Sequence, residues 1–521
     1  MRGNRLAIAV FAAIWASTAY FWHARDWNTA SRLMLAYALV DRGTIAIDGF
    51  EGQTGDRARY EGHSYSDKLP GFSFLAALPY AALRWIAGLP PHPLGVPGFT
   101  HWPADYGVTF LTSGLATALI GAWLTRAALD LGCGPRRAAL VGLAYGLATP
   151  AYAYGTLAYG HQVAAASLFG SFLLLWREPR RRIEVAWGLA GFLAAFASVV
   201  ELQVGPVSAI LGVYAGARGL GRIRSGMGGG VAGVAWFAAG AAIPTLLLLG
   251  YHWVAFDSPF RMGYFFHATE RFSRVHSAAN PLGLGKPDLG RLLDLSIRPA
   301  RGLLWYAPIV VLAPPGLVVL ASRRLWGMAT VVAATCLAVI AINLSYPEWT
   351  GGWSTGPRLL VPMLPFAMLA VAALLALGGR GVATLAAFLA LIGGGINLLF
   401  QGVGARVPDP PDVMPPGIAR PLDRPLFDAV MPIWHGSPLP GWSFGRRFDR
   451  NLASVIAPGW VASLPADRAW LQFAPLVAAQ ALAIGVLTAM APRWLRRPTP
   501  PTGLAGTVGA GDPPPSRPAP A

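Results

Sequence analysis

Charge is scarce in this chain. Asp, Glu, Lys and Arg make up 12% of its 521 residues, about half of what a soluble domain carries, and that shortage excludes an ordinary soluble globule. Cysteine is scarcer. Cys133 and Cys336 stand alone, near the end of one apolar stretch and inside another, so they offer neither a disulfide framework nor a thiolate metal spacing. No internal repeat runs through the chain, which weakens a transporter built from duplicated halves.

What the chain has instead is apolar length. Hydrophobic residues reach 54% and the mean hydropathy is +0.47. The apolar stretches are unbroken rather than alternating, which selects a helical bundle over a barrel. The net charge of +17 comes mostly from Arg clusters in short connections, the usual mark of cytoplasmic membrane loops, and not from a nucleic-acid-binding face. Windows of bilayer-spanning length fall at 6–22, 106–128, 138–154, 159–176, 185–202, 231–256, 303–320, 326–344, 359–377, 382–400 and 470–490. A shorter one at 204–217 is long enough if Arg218 snorkels. The first window follows Arg2 and Arg5, with no small-residue cleavage site after it, and is expected to stay as a span.

The stretch 72–87 is ambiguous, and the basic residues arbitrate. If it does not cross, Arg126, Arg136, Arg137, Arg177, the run 180–182, Arg218, Arg222, Arg224, Arg323, Arg324, Arg380, Arg493, Arg496 and Arg497 share the side of the N-terminus. If it crosses, all of them move outside, against the positive-inside rule. The expectation is an all-α polytopic membrane protein of about twelve transmembrane helices, with both termini cytoplasmic and 72–87 an interfacial helix.

Three long segments then lie outside: 23–105, 257–302 and 401–469. The second is basic, with Arg261, Arg271, Arg274, Lys286, Arg291, Arg298 and Arg301. Either its interspersed acids let a long loop cross regardless, or its cations attract a phosphate-bearing substrate. The expected organisation is a transmembrane core at 1–400 including the outer loop, a Pro-rich outer segment or small domain at 401–469, a last span with a basic end at 470–497, and a disordered cytoplasmic tail at 498–521.

The first outer loop holds the densest polar chemistry. Within 28–41, Leu33, Leu35, Ala36, Leu39 and Val40 recur on a roughly helical period, as in a helix lying on a membrane surface. The stretch 44–48 alternates briefly, and Asp48-Gly49 and Thr54-Gly55-Asp56 are turn-like. Its acids are Asp26, Asp41, Asp48, Glu51, Asp56, Glu61 and Asp67. A single such acid is more often a turn former or a solvated charge than a catalyst. Asp67 differs, because Lys68 adjoins it and Pro70-Gly71 fixes the backbone ahead of the interfacial helix. An ammonium there suits an anionic lipid headgroup and a carboxylate suits accepting a proton; a structural ion pair is the plainer alternative. Farther along, Glu201 falls in a tight outer turn, and His161 and His252 near outer span ends. His161 stands beside Tyr152, Tyr154 and Tyr159, a cluster that could stack on a sugar, although Tyr and Trp belts are normal at membrane interfaces. Asp409, Asp412, Asp423 and Asp428 lie in the Pro-rich segment without ligand-like spacing.

The run Tyr65-Ser66-Asp67-Lys68-Leu69-Pro70-Gly71 matches the Tyr-x-Lys-Pro-Pro-like motif that opens a surface helix in the GT-C superfamily of polyprenyl-phosphate-sugar-dependent glycosyltransferases. The chain resembles that superfamily, which includes protein O-mannosyltransferases and lipid A aminoarabinose transferases. Asn28-Thr29-Ala30-Ser31-Arg32, followed by Ala36-Tyr37-Ala38-Leu39-Val40-Asp41-Arg42-Gly43, resembles the surface helix after their first span. Trp349-Thr350-Gly351-Gly352-Trp353-Ser354-Thr355-Gly356-Pro357-Arg358, ahead of Pro362 and Pro365, is similar to their Gly-x-Arg-x-x-x-Pro signature, as is Arg301-Gly302-Leu303-Leu304-Trp305-Tyr306-Ala307-Pro308. The likeness covers most of 6–377 and rests on the order of these motifs. One departure stands out: where the better-known members begin the first surface helix with an acid, this chain has Asn28-Thr29, with Asp26 two residues earlier.

The resemblance implies an inverting transferase at the outer face of the bacterial inner (plasma) membrane, with a polyprenyl-phosphate sugar as donor substrate and no other cofactor. It implies metal independence as well, since the first outer loop has no Asp-x-Asp. Asp67 and Asp26 are the implied candidates for the base, with Asp48 and Asp56 behind them. Lys68, Arg358 and Arg32 would balance the leaving phosphate, with Asn28, Tyr65 and His161 as further substrate contacts and Glu201 a secondary candidate. Membrane lipid is the implied partner; the acceptor stays unnamed. Two rivals remain: a transporter or lipid flippase, which would want ionisable groups at mid-membrane, and a non-catalytic lipid-sugar-binding relative, which Asn28 at the acid position supports.

Overall fold

A computed structural model of the chain describes residues 2–23, 25–96, 102–177, 183–407, 423–436, 448 and 451–495. The chain begins with α1 (Arg2–Thr18), followed by a surface helix α2 (Trp27–Arg42), a hairpin of β1 (Arg57–Tyr60) and β2 (His63–Ser66), and α3 (Gly71–Trp85). The bundle continues through α4 (Trp102–Asp130), α5 (Pro135–Leu147), α6 (His161–Arg177), α7 (Ile183–Val200), α8 (Gly205–Arg224), α9 (Gly230–Phe256), α10 (Pro308–Ser322), α11 (Trp326–Ser345), α12 (Arg358–Leu377), α13 (Arg380–Val403) and α14 (Ala466–Ala491). Seven of these, α4, α7, α9, α11, α12, α13 and α14, are long and apolar enough to cross a membrane. The protein is an all-α polytopic membrane protein with one small hairpin.

The five other expected windows are also helical, but shorter, broken or more polar. α1 and α6 have 17 residues each. α5 stops at Leu147, ahead of Pro150, and the 303–320 window is split at Ala307 between the short turn Leu303–Tyr306 and α10. α8 carries Arg222 and Arg224 in its last turn. Asp409, Asp412, Arg180 to Arg182 and the tail 498–521 lie outside the described residues.

The arginines separate the two ends of the bundle. At one end Arg136 donates to the Thr488 carbonyl at 2.9 Å, Arg137 to the Leu375 and Gly378 carbonyls at 2.8 and 2.6 Å, and Arg323 to the Leu131 carbonyl at 2.7 Å. Arg177 pairs with Asp130 at 2.8 Å in the same group. The opposite end carries α2, the hairpin, α3 and the Glu201 turn. This division matches a chain in which 72–87 does not cross. That stretch becomes α3, which lies against α2: Tyr80 and Arg84 both donate to Asp41 at 2.7 Å, and Ser73 donates to the Arg32 carbonyl at 2.8 Å.

Local chemistry explains both outer elements. Asp26 caps α2 by accepting from the Thr29 amide at 2.7 Å, and the Thr29 hydroxyl accepts from the Asp26 amide at 2.9 Å, a closed capping box. Gly43, at φ 65°, ends the helix in the left-handed region. The hairpin was not expected, and the alternating stretch 44–48 forms no strand. Its turn is Glu61-Gly62, with φ values of 47° and 83°, the two positive angles that a two-residue hairpin turn requires.

The loop 257–302 docks on this hairpin. Ala268 donates its amide to the Arg57 carbonyl at 2.8 Å, and a β-bridge joins Ala58 to His267. Most of the loop's cations are paired. Arg271 bonds Glu348, Arg274 bonds Glu270, Arg291 bonds Asp288 and Arg298 bonds Asp294. Three of these four partners, Glu270, Asp288 and Asp294, are acids interspersed in the same loop.

Small residues bring α7 and α9 together. A Cβ on Gly240 would fall 1.9 Å from the Gly188 carbonyl oxygen, and one on Gly191 would fall 1.8 Å from the Phe237 carbonyl oxygen, the close approach that glycine allows between membrane helices. Gly240→Leu is expected to force α7 and α9 apart and cost about 1–3 kcal/mol or more. Thermal unfolding in lipid nanodiscs reads this as a clear drop in Tm; an unchanged Tm contradicts the packing.

Candidate active site

The hairpin ends in Ser66, and the next two residues carry charge into a dry corner. Lys68 Nζ lies 2.8 Å from Asp56 Oδ2 and 2.7 Å from Asp67 Oδ2, so one ammonium bridges two carboxylates. Asp67 is 2% exposed. Its other oxygen accepts from Ser31 Oγ at 3.0 Å, and Ser31 is itself 2.8 Å from Ser66 Oγ. His267 closes the group, its Nε2 3.6 Å from Asp67 and 4.0 Å from Asp56. Gly263 packs so tightly here that a Cβ would lie 2.9 Å from the Ser66 carbonyl oxygen.

These contacts divide the two acids. Burial pushes Asp67 up, but Lys68, His267 and Ser31 outweigh it and hold the carboxyl below its usual range. Asp56 has fewer donors; burial, with Asp67 adding to it against the pull of Lys68, pushes it above the ordinary value of 3.8. Burial lowers Lys68, but Asp56 and Asp67 raise it further than that, so the ammonium stays charged. Burial lowers His267 below its usual value despite Asp67, so it stands neutral at pH 7. The ligand atoms of Asp56, Asp67 and His267 lie within 4.8 Å of one another, a spacing that fits a divalent cation. Lys68 already sits against both carboxylates, and its ammonium supplies the positive charge there.

A second group continues from the same face of α2. Arg32, 2% exposed, donates to Asn28 at 3.1 Å, to Glu201 at 2.7 Å and to the Val200 carbonyl at 3.4 Å. Glu201 lies 3.6 Å from His161 Nδ1. Burial raises the Glu201 pKa, but Arg32 and the neighbouring His161, Arg358 and Lys68 outweigh it, so the carboxyl stays ionised. Beyond His161 the Arg358 guanidinium stands 5.1 Å from the centre of the Tyr159 ring. Tyr159 donates to Asp26, whose carboxylate also lies 3.4 Å from Arg406. Burial pushes Asp26 up, yet Arg406, Tyr159 and Thr29 hold it low. The Arg358 Nε is buried without a hydrogen-bond partner, as is that of Arg57; what sets Arg358 apart from Arg32 and Lys68 is that it has no ion pair among the described residues.

The structure therefore brings Asp26, Asn28, Arg32, Asp56, Asp67, Lys68, His161, Glu201 and Arg358 to one end of the bundle. Arg32 and Asn28 are spent on positioning Glu201. Asp48 is not part of this group; it pairs with exposed His63 at 2.7 Å and accepts from the Ser64 amide. Tyr65 packs its ring on Phe256 at 5.3 Å. Tyr152, Tyr154 and Tyr159 are buried inside the bundle and do not form a lipid-facing belt. His252 is buried, 3.3 Å from the Pro259 carbonyl. Sequence reasoning missed His267 and Arg406. His267 sits in an unpatterned loop, and only the docking of that loop on the hairpin reveals it.

No family model matches the chain, and no curated protein matches it. Among solved structures it is similar to ArnT from Cupriavidus metallidurans in the apo state, at 16% identity over 94% of this chain and 76% of that one, with a TM-score of 0.45. It is also similar to the same protein bound to undecaprenyl phosphate, at 16% identity over 76% of this chain and 63% of that one, with a TM-score of 0.43. Values of that size transfer no chemistry, and the functional reading rests on the residues above.

Removing the bridging ammonium leaves two buried carboxylates facing each other. Lys68→Met is expected to cost about 3–5 kcal/mol, read as a fall in Tm. Adding Asp56→Asn should recover part of that loss, since the two residues are coupled. A Lys68→Met protein as stable as wild type, or a double variant with additive losses, contradicts the bridge.

Proposed function

We propose that this chain is a glycosyltransferase that moves a sugar from a polyprenyl-phosphate donor to an acceptor at the outer face of a bacterial plasma membrane, with both termini on the cytoplasmic side. The observation that carries this reading is Arg358, a cation with a buried, unpartnered Nε and no ion pair, at the end of the bundle where carboxylates gather. An uncommitted guanidinium at that depth fits an anionic lipid phosphate, which it can hold through paired donors. The motif resemblance supports the same chemistry independently.

The roles follow from the charges. The leaving group is a lipid phosphate and needs a cation more than a proton donor. Arg358 would hold its oxygens. Lys68, with two carboxylates already bound, would lend its remaining donor and keep Asp67 in place. Asp56 is the better base than Asp67, because its raised pKa makes it the stronger proton acceptor of the two. It would take the acceptor's hydroxyl or amine proton as that atom attacks the anomeric carbon. The bond from that carbon to the phosphate oxygen breaks on the opposite face, the electron pair leaves with the phosphate, and the configuration inverts. Asp26, locked between its helix cap, Tyr159 and Arg406, is better placed to orient than to accept a proton.

The test is turnover of radiolabelled undecaprenyl-phosphoryl mannose, glucose and arabinose by the purified protein in nanodiscs. Arg358→Ala should lower kcat/KM by about 100- to 1000-fold with folding intact. The acid limb of the wild-type pH profile should have its midpoint above the ordinary carboxylate value of 3.8, because Asp56 must be ionised to act and activity is lost as pH falls through its raised pKa. Absence of turnover with every donor, or an Arg358→Ala protein as active as wild type, contradicts the reading.

A further inference from the structure

Next to these cations lies a narrow cleft lined by the start of α6, the Glu201 turn, the end of α11 and the start of α12. His161, Glu201, Gln203 and Asn343 are its polar lining, and Val339, Leu359 and Pro362 are among its apolar lining. Asn343 is the anomaly. It is 1% exposed, it sits two residues before the end of α11, and neither its amide nitrogen nor its amide oxygen has a partner. Buried polar side chains are nearly always paired, and leaving both ends of an amide unmade costs more than a hydrogen bond normally returns. Asn is also a poor choice for a helix interior. Neither packing nor helix propensity accounts for it, so the residue points to something that enters the cleft.

The chemistry of the lining says what enters. Glu201 is ionised and accepts only; Asn343 offers one acceptor and two donor hydrogens. A phosphate is anionic and would be repelled by Glu201, whereas a polyhydroxylated ring both gives and takes hydrogen bonds and presents C–H faces to Val339, Leu359 and Pro362. We propose that Asn343 binds a hydroxyl of the donor's sugar, and that this cleft is the sugar subsite beside the phosphate-holding Arg358. The proposal rests on the glycosyltransferase reading and adds where the carbohydrate sits and what recognises it.

The experiment compares undecaprenyl phosphate with its mannosyl, glucosyl, galactosyl and arabinosyl phosphodiesters, each bound to the full chain in nanodiscs. Wild type should bind at least one glycosylated lipid about 10-fold tighter than the bare lipid phosphate. Asn343→Leu should erase that preference while leaving the affinity for undecaprenyl phosphate within about twofold, and Asn343→Gln should restore part of it. Without lipid, the Asn343→Leu protein should melt no lower than wild type, because no protein partner is lost. A leucine variant that keeps the preference overturns the subsite while the transferase reading stands. Equal weakening of bare and glycosylated lipids, or a lowered Tm, means that Asn343 has a structural role instead. A wild-type protein that binds none of these lipids overturns the transferase reading, and the subsite with it.

Discussion

One ammonium ties one end of this protein together. Lys68 holds Asp56, from the approach to β1, against Asp67, from the exit of β2. Through Asp67 it reaches Ser31 on α2 and His267 on the loop 257–302. The two ends of the hairpin, α2 and the loop carrying His267 therefore share one electrostatic knot. The carboxylates cannot be buried together without the cation, and the cation cannot be buried without them. The knot costs desolvation, and it fixes two acids in different protonation tendencies a few ångströms apart, which is the condition under which one orients and the other takes a proton.

The bundle beneath supplies the rest by delivering helix ends to the same level. α6 begins with His161, α7 ends just before Glu201, α11 ends just beyond Asn343 and α12 begins with Arg358. Each long helix needs only its apolar length to place a polar residue at the interface, and glycine contacts such as Gly240 on Gly188 bring neighbours close enough for those ends to converge. The opposite end, where Arg136, Arg137, Arg177 and Arg323 cluster, is occupied with backbone carbonyls and Asp130 and offers no comparable group of acids among the described residues.

Much of this was legible in the sequence. Apolar window length located the helices, and the stretch 72–87, set apart by the arginine pattern, forms α3 packed on α2. The Asp67-Lys68 pair stood out because two opposite charges beside a membrane are rare. What the sequence concealed was partnership. Asp56 looked like one turn acid among several until the hairpin, whose only signal was Glu61-Gly62, carried it onto Lys68. Arg32 gave no sign of the ion pair it makes with Glu201, 169 residues away. Tyr154 and Tyr159 looked like an interfacial belt because periodicity cannot distinguish a ring facing lipid from one facing a buried arginine. His267 and Asn343 carried no local pattern at all; contacts across the fold, or their absence, mark them.

The central claim is that the outer end of the bundle is built around a lipid phosphate held by Arg358. Electron cryomicroscopy of the protein in nanodiscs with undecaprenyl phosphate tests it most directly. The account predicts phosphate density within hydrogen-bond reach of the Arg358 guanidinium, with the Asp56–Lys68–Asp67 bridge intact beside it. Lipid phosphate bound elsewhere while Arg358 stays unoccupied would contradict it.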